Sequence, residues 1–247
     1  MVHAPGGNCM EEIDLYCLPY AGGSARVIYS KWRDYLEAGI NLIPLETAGH
    51  GERMNEKPYE SIEKATEDLL GSMKDRISVR PYALYGHSMG TLLAFETALL
   101  AKKEGLPQPK VIFLSGRKPM HKTRDEKTTF DLPDEEFISE IVGIGGTPQE
   151  VFKYKQLRDV FLNMLRNDYR IVEQYKIRDR IESLNTDIVF FASDEDTLIT
   201  REDVKEWNQY CDGSFEYHQY EGGHFFINDC YQDICEKINK KLISVMN

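Results

Sequence analysis

The chain has 247 residues, of which 41% are hydrophobic and 29% charged, and its formal net charge is −11. This length fits one large α/β domain, or one domain that carries an insertion. The acidic balance argues against nucleic acid or an anionic membrane surface as a partner, and no apolar run approaches the roughly 18 residues of a membrane helix.

Short apolar strands alternate with amphipathic helices through the first half of the chain. This alternation is typical of a mostly parallel sheet with helices on both faces. In chain order the pattern predicts strands at Ile13–Leu18, Asn41–Leu45, Tyr82–Tyr85 and Lys110–Ser115, and helices at Val27–Glu37, Ser61–Ile77 and Met89–Glu104.

The alternation stops after Lys118 and resumes near residue 181. Residues 119–180 contain no convincing strand, only helical stretches at Asp134–Val142 and Gln156–Tyr175. A helical insertion between two strands predicts a lid over the edge of the sheet, carried by a core of residues 10–118 and 181–247. The remaining predicted elements are a strand at Asp187–Ala192, a helix capped by Thr200, a strand at Ser214–Tyr220 and a helix at Tyr231–Val245.

Two smaller features concern the compartment and the start of the protein. Five cysteines without metal-like spacing favour reduced thiols and a cytoplasmic location. The N-terminal residues "MVHAPGGNCM" lack the layout of a signal peptide. We also expect Met10 to be the natural start and residues 1–9 to be a tail.

The motif "GHSMG" places Ser88 between Gly86 and Gly90, where a predicted strand meets a predicted helix. This matches G-x-S-x-G, in which a sharp turn exposes a nucleophilic serine and glycines avoid crowding of the strained backbone. A chance glycine-flanked serine in a tight turn is the alternative. It is disfavoured because strand, motif and helix occur in the required order. Ser88 is the predicted nucleophile.

A serine hydroxyl needs a base, and the base needs an acid to orient it. With this motif the chain order is serine, acid, histidine. Among the histidines after Ser88, His121 precedes any later strand and His218 lies within one. His224 stands in the glycine-containing loop "EGGHFF" after the last strand. The pattern therefore predicts His224 as the base.

The acid is expected after the preceding strand, where "SDED" offers Asp194, Glu195 and Asp196. A G-x-x-D pattern with Ser193 in the glycine place favours Asp196, and Asp194 stays open as the alternative. The oxyanion needs two backbone donors. We expect these to be the N–H groups of Met89 and of Ala21, although the loop "LPYAGGS" could be only a glycine-rich turn.

Four segments in this order, "LPYAGGSA", "GHSMG", "LPDEEF…GGTP" and "YEGGHFF", resemble the type II thioesterases of nonribosomal peptide and polyketide biosynthesis. The likeness extends from about Leu15 to the C-terminal helix. It implies an α/β-hydrolase fold with a mobile helical lid. It also implies hydrolysis of acyl or aminoacyl groups wrongly loaded on the phosphopantetheine arms of carrier domains, with no metal or redox cofactor.

The resemblance assigns the same roles as the residue pattern. It carries over Ser88 as nucleophile, His224 as base and Asp196 as acid, with Ala21 and Met89 in the oxyanion hole. The chain departs from the family at Ala48, where proline is usual, and at Ser193, where glycine is commoner. His50, in the loop "TAGHGER", is expected to stabilise a turn, since it precedes the nucleophile and the triad has a better base.

The predicted lid carries apolar residues that could line an acyl tunnel or simply form a core, and the two interpretations are equally weighted. These are Phe137, Ile141, Phe152, Phe161, Leu165 and Tyr169.

A basic segment opens the insertion and could dock an acidic carrier domain, although a solvated loop is an equal alternative. Its basic residues are Arg117, Lys118, Lys122, Arg124 and Lys127. The rival functions are a general serine carboxylesterase or lipase, which would use the same triad, and a non-catalytic ligand sensor. The sensor is disfavoured because no triad member is missing.

Overall fold

The structure is a computed structural model that describes residues 12–122, 128–147, 149–176 and 181–246. The predicted tail, residues 1–9, and the predicted start at Met10 lie outside these ranges.

The described strands form one parallel sheet in the order β2-β1-β3-β4-β5-β6. The predicted parallel sheet is therefore confirmed, and the two strands at its centre, β3 and β4, are buried along their whole length. The strands are β1 (Ile13–Leu18), β2 (Ile40–Pro44), β3 (Tyr82–His87), β4 (Val111–Ser115), β5 (Asp187–Ser193) and β6 (Phe215–Tyr220).

Helices follow most strands. Among the helices of the described ranges, none combines the length and apolar character needed to cross a membrane. The helices are α1 (Ala25–Ile28), α2 (Ile62–Ile77), α3 (Met89–Lys103), α4 (Asp134–Ile144), α5 (Lys155–Glu173), α6 (Arg201–Glu206) and α7 (Tyr231–Met246). Short 3₁₀ helices occur at Ser30–Asp34, Gly51–Arg53, Gln149–Lys153, Trp207–Tyr210 and Phe226–Asn228.

The helix predicted over Val27–Glu37 was wrong. The segment forms the short α1, which begins after Ser24, and then the 3₁₀ helix Ser30–Asp34. Tyr29 and Trp32 are both buried in the core. Their spacing of three residues suits a 3₁₀ turn, in which residues i and i+3 lie on the same side.

Both faces of the sheet are covered. Helices α2, α3 and α6 contribute to the core on one face, and α1 and α7 contribute to the core on the other. Adjacent residues of β3 alternate between these cores, with Leu84 on one side and Ala83 and Tyr85 on the other. This period of two is what a sheet buried on both faces requires.

The helical insertion has a small core of its own. Phe137 and Ile141 of α4 pack against Leu162 and Leu165 of α5. The C-terminal end of α5 belongs instead to the main core, because Ile171 and Val172 pack there with residues of α3 and the sheet. The insertion is therefore joined to the core along only part of its length.

Candidate active site

Ser88 occupies the junction of β3 and α3 with φ 54° and ψ −114°. Within the described part of the chain it is the one non-glycine residue with a positive φ. The flanking glycines are sterically required. A Cβ on Gly86 would lie 2.0 Å from the Gly90 carbonyl oxygen, and one on Gly90 would lie 2.5 Å from the Leu18 carbonyl oxygen. The turn has the geometry of a nucleophile elbow.

Hydrogen bonds to strand β4 hold this strained turn in place. The Ser88 N–H donates to the Ser115 carbonyl over 2.9 Å. The buried Thr91 hydroxyl lies 2.9 Å from the Gly86 carbonyl oxygen and accepts the Ser115 N–H over 3.1 Å. The elbow is thus fixed to the neighbouring strand on both sides of Ser88.

His224 and Asp196 form a buried pair at the ends of β6 and β5. The His224 Nδ1 lies 2.8 Å from Asp196 Oδ2, and Asp196 Oδ1 accepts the Leu198 N–H over 2.9 Å. An ionised carboxylate only accepts hydrogen bonds, so Nδ1 carries the proton and Nε2 is left as the basic nitrogen. This is the arrangement that a general base and its orienting acid need.

Asp194 and Ser193, close to Asp196 in sequence, form hydrogen bonds to the backbone of the loop that carries His224. Asp194 Oδ1 accepts the Gly222 N–H over 3.2 Å, and the Ser193 hydroxyl donates to the Gly223 carbonyl over 3.0 Å. Serine in place of the commoner glycine therefore adds a hydrogen bond next to His224. The geometry favours Asp196 over Asp194, while the catalytic role of either stays a prediction.

A second histidine, His87, lies beneath the site. Its ring is completely buried, its Nδ1 is 2.8 Å from the Ser115 hydroxyl, and its centroid is 4.7 Å from that of His224. Burial, and secondly the neighbouring His224, lower the pKa of His87 well below its usual 6.5. His87 is therefore a neutral ring that packs against the candidate base.

Two cavities meet at Ser88. The smaller, of about 40 Å³, is lined in part by Ala21, Met89 and His224, and the larger, of about 710 Å³, extends past Arg117. Met89 begins α3, so its N–H is one of the first-turn donors that have no partner within the helix. The structure thus brings together the predicted nucleophile, base and oxyanion donors, with the predicted acid behind the base.

The apolar lid residues serve both predicted roles. All six belong to the cluster between α4 and α5 or pack against it. Three of them, Ile141, Leu165 and Tyr169, also line the small cavity.

The basic segment is partly neutralised. The Lys122 ammonium lies 2.7 Å from Asp203 and 2.9 Å from Glu206. These two carboxylates raise the pKa of Lys122. Arg117 and Lys118 line the larger cavity, whereas Arg124 and Lys127 lie outside the described residues. A docking role for this segment stays a prediction.

Sequence reasoning missed Asp168, on α5. The predicted turn contacts of His50 are present, but its Nε2 also lies 2.8 Å from the Asp168 carboxylate. The same carboxylate oxygen accepts the Gly22 N–H over 2.7 Å. A signal existed in the sequence, since Asp168 interrupts the apolar stripe of α5 at the spacing of its buried residues, among them Leu165 and Val172.

A family profile described as "Thioesterase domain" matches residues 14–242. The chain belongs to the thioesterase domain family. The structure of ClbQ from the colibactin NRPS/PKS pathway is 34% identical, covers 95% of this chain and 98% of its own, and superposes with a TM-score of 0.89. The structure of the type II thioesterase BorB from the borrelidin cluster is 30% identical, covers 97% and 95%, and gives 0.83.

A curated relative is LgrE of Brevibacillus parabrevis, 30% identical over 98% of this chain and 92% of its own. LgrE is named a linear gramicidin dehydrogenase, and we do not assign that reaction to this chain. The neighbouring structures and the family match confirm the resemblance drawn from the four sequence segments.

We expect Asp196→Asn to lower kcat on a small acyl thioester by about three to four orders of magnitude. The amide would favour the His224 tautomer that carries its proton on Nε2, which cannot act as the base. Asp194→Asn is the matched control. Its amide oxygen still accepts the Gly222 N–H, so kcat should stay within about threefold of wild type. The measurement is steady-state hydrolysis by both variants, and a larger loss for Asp194→Asn would transfer the acid role to that residue.

His87 should make stability depend on pH. Because its pKa is lowered in the folded state, the unfolded chain binds more protons as the pH falls below 6.5, and this contribution to stability is lost on acidification. The slope is at most about 1.4 kcal/mol per pH unit. Urea unfolding between about pH 7.5 and 5.5 should therefore show a shallower decline for His87→Gln than for wild type. Equal slopes would contradict the assignment.

Proposed function

We propose that the chain is a type II thioesterase that hydrolyses acyl or aminoacyl groups from the phosphopantetheine arms of carrier domains in a nonribosomal peptide or polyketide synthase. The observation that carries this proposal is Ser88 on its strained elbow, beside the same cavity as His224, whose Nδ1 lies 2.8 Å from Asp196. Family membership and the likeness to ClbQ and BorB support the thioester substrate.

The proposed acylation step uses groups already next to the cavity. His224 Nε2 takes the proton of the Ser88 hydroxyl as the oxygen attacks the thioester carbonyl carbon. The carbonyl oxygen becomes an oxyanion, which the N–H groups of Met89 and Ala21 stabilise. When the tetrahedral intermediate collapses, the C–S bond breaks and the thiolate takes the proton from His224. The carrier's thiol leaves and an acyl-Ser88 ester remains.

The proposed deacylation repeats these transfers with water. His224 removes a proton from a water molecule, whose oxygen attacks the acyl carbon through a second oxyanion. Collapse breaks the ester bond and returns the proton from His224 to Ser88, releasing the carboxylic acid. Each step in this scheme uses only side chains, backbone donors and water, so we propose that no cofactor takes part.

The larger cavity suits a long, flexible arm. Its volume of about 710 Å³ lies within the roughly 300–1,000 Å³ of ligand pockets, and it reaches Ser88 from the side of Arg117 and Lys118. These two cations would attract the phosphate of a phosphopantetheine arm and the acidic surface around it. We propose that a carrier domain docks here.

The division of the chain into a core and a lid is also a proposal. We assign residues 10–118 and 181–247 to the hydrolase core and residues 119–180 to the lid insertion. The separate apolar cluster that joins Phe137 and Ile141 to Leu162 and Leu165 supports a distinct lid unit.

The first test is removal of the nucleophile. A carrier protein bearing acetyl-phosphopantetheine is incubated with wild type or Ser88→Ala, and its mass is followed by mass spectrometry. Wild type should restore the free thiol, and Ser88→Ala should slow this by several orders of magnitude, since the hydroxyl forms the covalent intermediate.

One result of this experiment would contradict the editing role. If wild type cleaves a nitrophenyl ester but leaves acetyl and other short acyl groups on the carrier, the editing role fails. The general carboxylesterase then becomes the better description.

A second test concerns docking. Reversing both charges in Arg117→Glu/Lys118→Glu should lower kcat/KM for the acyl-carrier protein at least about tenfold more than for a small acyl thioester, because only the carrier presents an extended charged surface. Lys31→Glu/Arg33→Glu, which reverses two exposed basic residues on the 3₁₀ helix Ser30–Asp34, is the matched control. Equal losses on both substrates would refute docking at this segment.

A further inference from the structure

The structure buries an ionisable pair that the proposed mechanism does not use. His50 and Asp168 are each only 2% exposed, and the His50 Nε2 lies 2.8 Å from Asp168 Oδ2. Removing two ionisable groups from water costs free energy that their attraction does not always offset. The contribution of the pair to folding stability therefore does not by itself explain its presence, which leaves room for a functional role. The pair joins the turn after β2 to α5, which are 118 residues apart in sequence.

The same carboxylate oxygen contacts the loop that carries a candidate oxyanion donor. Asp168 Oδ2 accepts the Gly22 N–H over 2.7 Å, and Gly22 directly follows Ala21. Gly22 has φ +75°, and a Cβ there would lie 2.5 Å from Leu165 Cδ2. Helix α5 therefore lies on this loop at two points, an apolar contact and a charge-assisted hydrogen bond, which are one helical turn apart.

His50 holds the carboxylate from the side of the core. Its Nδ1 lies 3.0 Å from the Thr47 hydroxyl and 3.2 Å from the Ala48 carbonyl oxygen, so the turn fixes the ring. Burial opposes protonation of His50, but the hydrogen bond and charge of Asp168 outweigh it, and the pKa of His50 is raised. Asp168 is consequently held in one position between the turn and the Gly22 amide.

The C-terminal half of α5 is fixed to the core by further contacts. The Arg170 guanidinium donates to the backbone carbonyls of Glu60 and Tyr59, over 3.1 and 3.2 Å. The N-terminal half differs, because Leu157 and Val160 are each 60% exposed there. A lid motion that carried away the whole of α5 would break the Arg170 contacts and leave the buried His50–Asp168 pair separated.

We propose that Asp168, held by His50, is a positioning residue that fixes the loop of residues 20–23 so that the Ala21 N–H points at the developing oxyanion. The C-terminal half of α5 is then a permanent wall of the active site, and lid motion is confined to α4 and the N-terminal half of α5. This inference rests on the proposed function, because it takes Ala21 as an oxyanion donor.

The test separates stabilisation of the oxyanion from substrate binding. Asp168→Ala should lower kcat on a small acyl thioester by about 10- to 100-fold, because a donor displaced by about 1 Å loses most of its effect, while KM changes less than about threefold. An alkyl trifluoromethyl ketone forms a tetrahedral adduct with the serine and places an oxyanion in the hole. Its inhibition constant should rise by the same factor as kcat/KM falls.

Two further variants define the role of the carboxylate. Asp168→Asn should recover most of the lost kcat, because an amide oxygen in the place of Oδ2 can accept both the Gly22 N–H and the Nε2–H of a neutral His50. Asp168→Glu keeps the charge but moves the carboxylate by one methylene. If Asp168→Ala does not fold, Asp168→Glu is expected to shift kcat/KM and the inhibition constant in parallel.

The matched control is Arg170→Ala on the same helix, which removes an anchor of α5 without touching the loop. It should lower Tm while leaving kcat within about twofold of wild type. A kcat within twofold of wild type for Asp168→Ala, or for Asp168→Glu where the alanine variant does not fold, would overturn the inference. So would a fall in kcat/KM with an unchanged inhibition constant. A wild type that hydrolyses neither thioester nor ester would overturn the proposed function, and this inference with it.

Discussion

The strained backbone at Ser88 is the constraint on which the rest of the site depends. A non-glycine residue with φ 54° costs on the order of 1–3 kcal/mol, and it persists only where its surroundings leave no relaxed alternative. Here the surroundings are close backbone contacts at Gly86 and Gly90 and hydrogen bonds from Ser88 and Thr91 to β4. The parallel sheet therefore supplies the rigidity that holds the half-buried Ser88 at the two cavities.

Two buried histidines near this elbow have opposite electrostatic surroundings. Burial, and secondly the neighbouring His224, lower the pKa of His87, so it is a neutral ring against His224. His50 is also buried, but the adjacent Asp168 carboxylate raises its pKa. The fold thus keeps His87 uncharged beside the candidate base, whereas His50 holds the Asp168 carboxylate in place. Neither arrangement is visible from the type of residue alone.

The helical insertion is best understood as two parts with different attachments. One part, around Phe137 and Leu162, has its own small apolar core, and the residues of that core lie outside the strands. The other is the end of α5, where Ile171 and Val172 join the main core and Asp168 meets the loop after β1. Under the proposals made above, the first part would admit an acyl arm while the loop of residues 20–23 stays in place.

The sequence by itself determined the parallel sheet and the elbow motif and predicted the chain order of nucleophile, acid and base, because strand periodicity, glycine placement and strand-end loops are local properties of the chain. It misjudged the helix after β1, where Tyr29 and Trp32 enter the core at 3₁₀ spacing. Only the tertiary structure decided that Asp196 and not Asp194 meets His224, and that Asp168 joins His50 to Gly22. These choices depend on how elements far apart in the chain pack against one another, and no pattern within either segment specifies its distant partner.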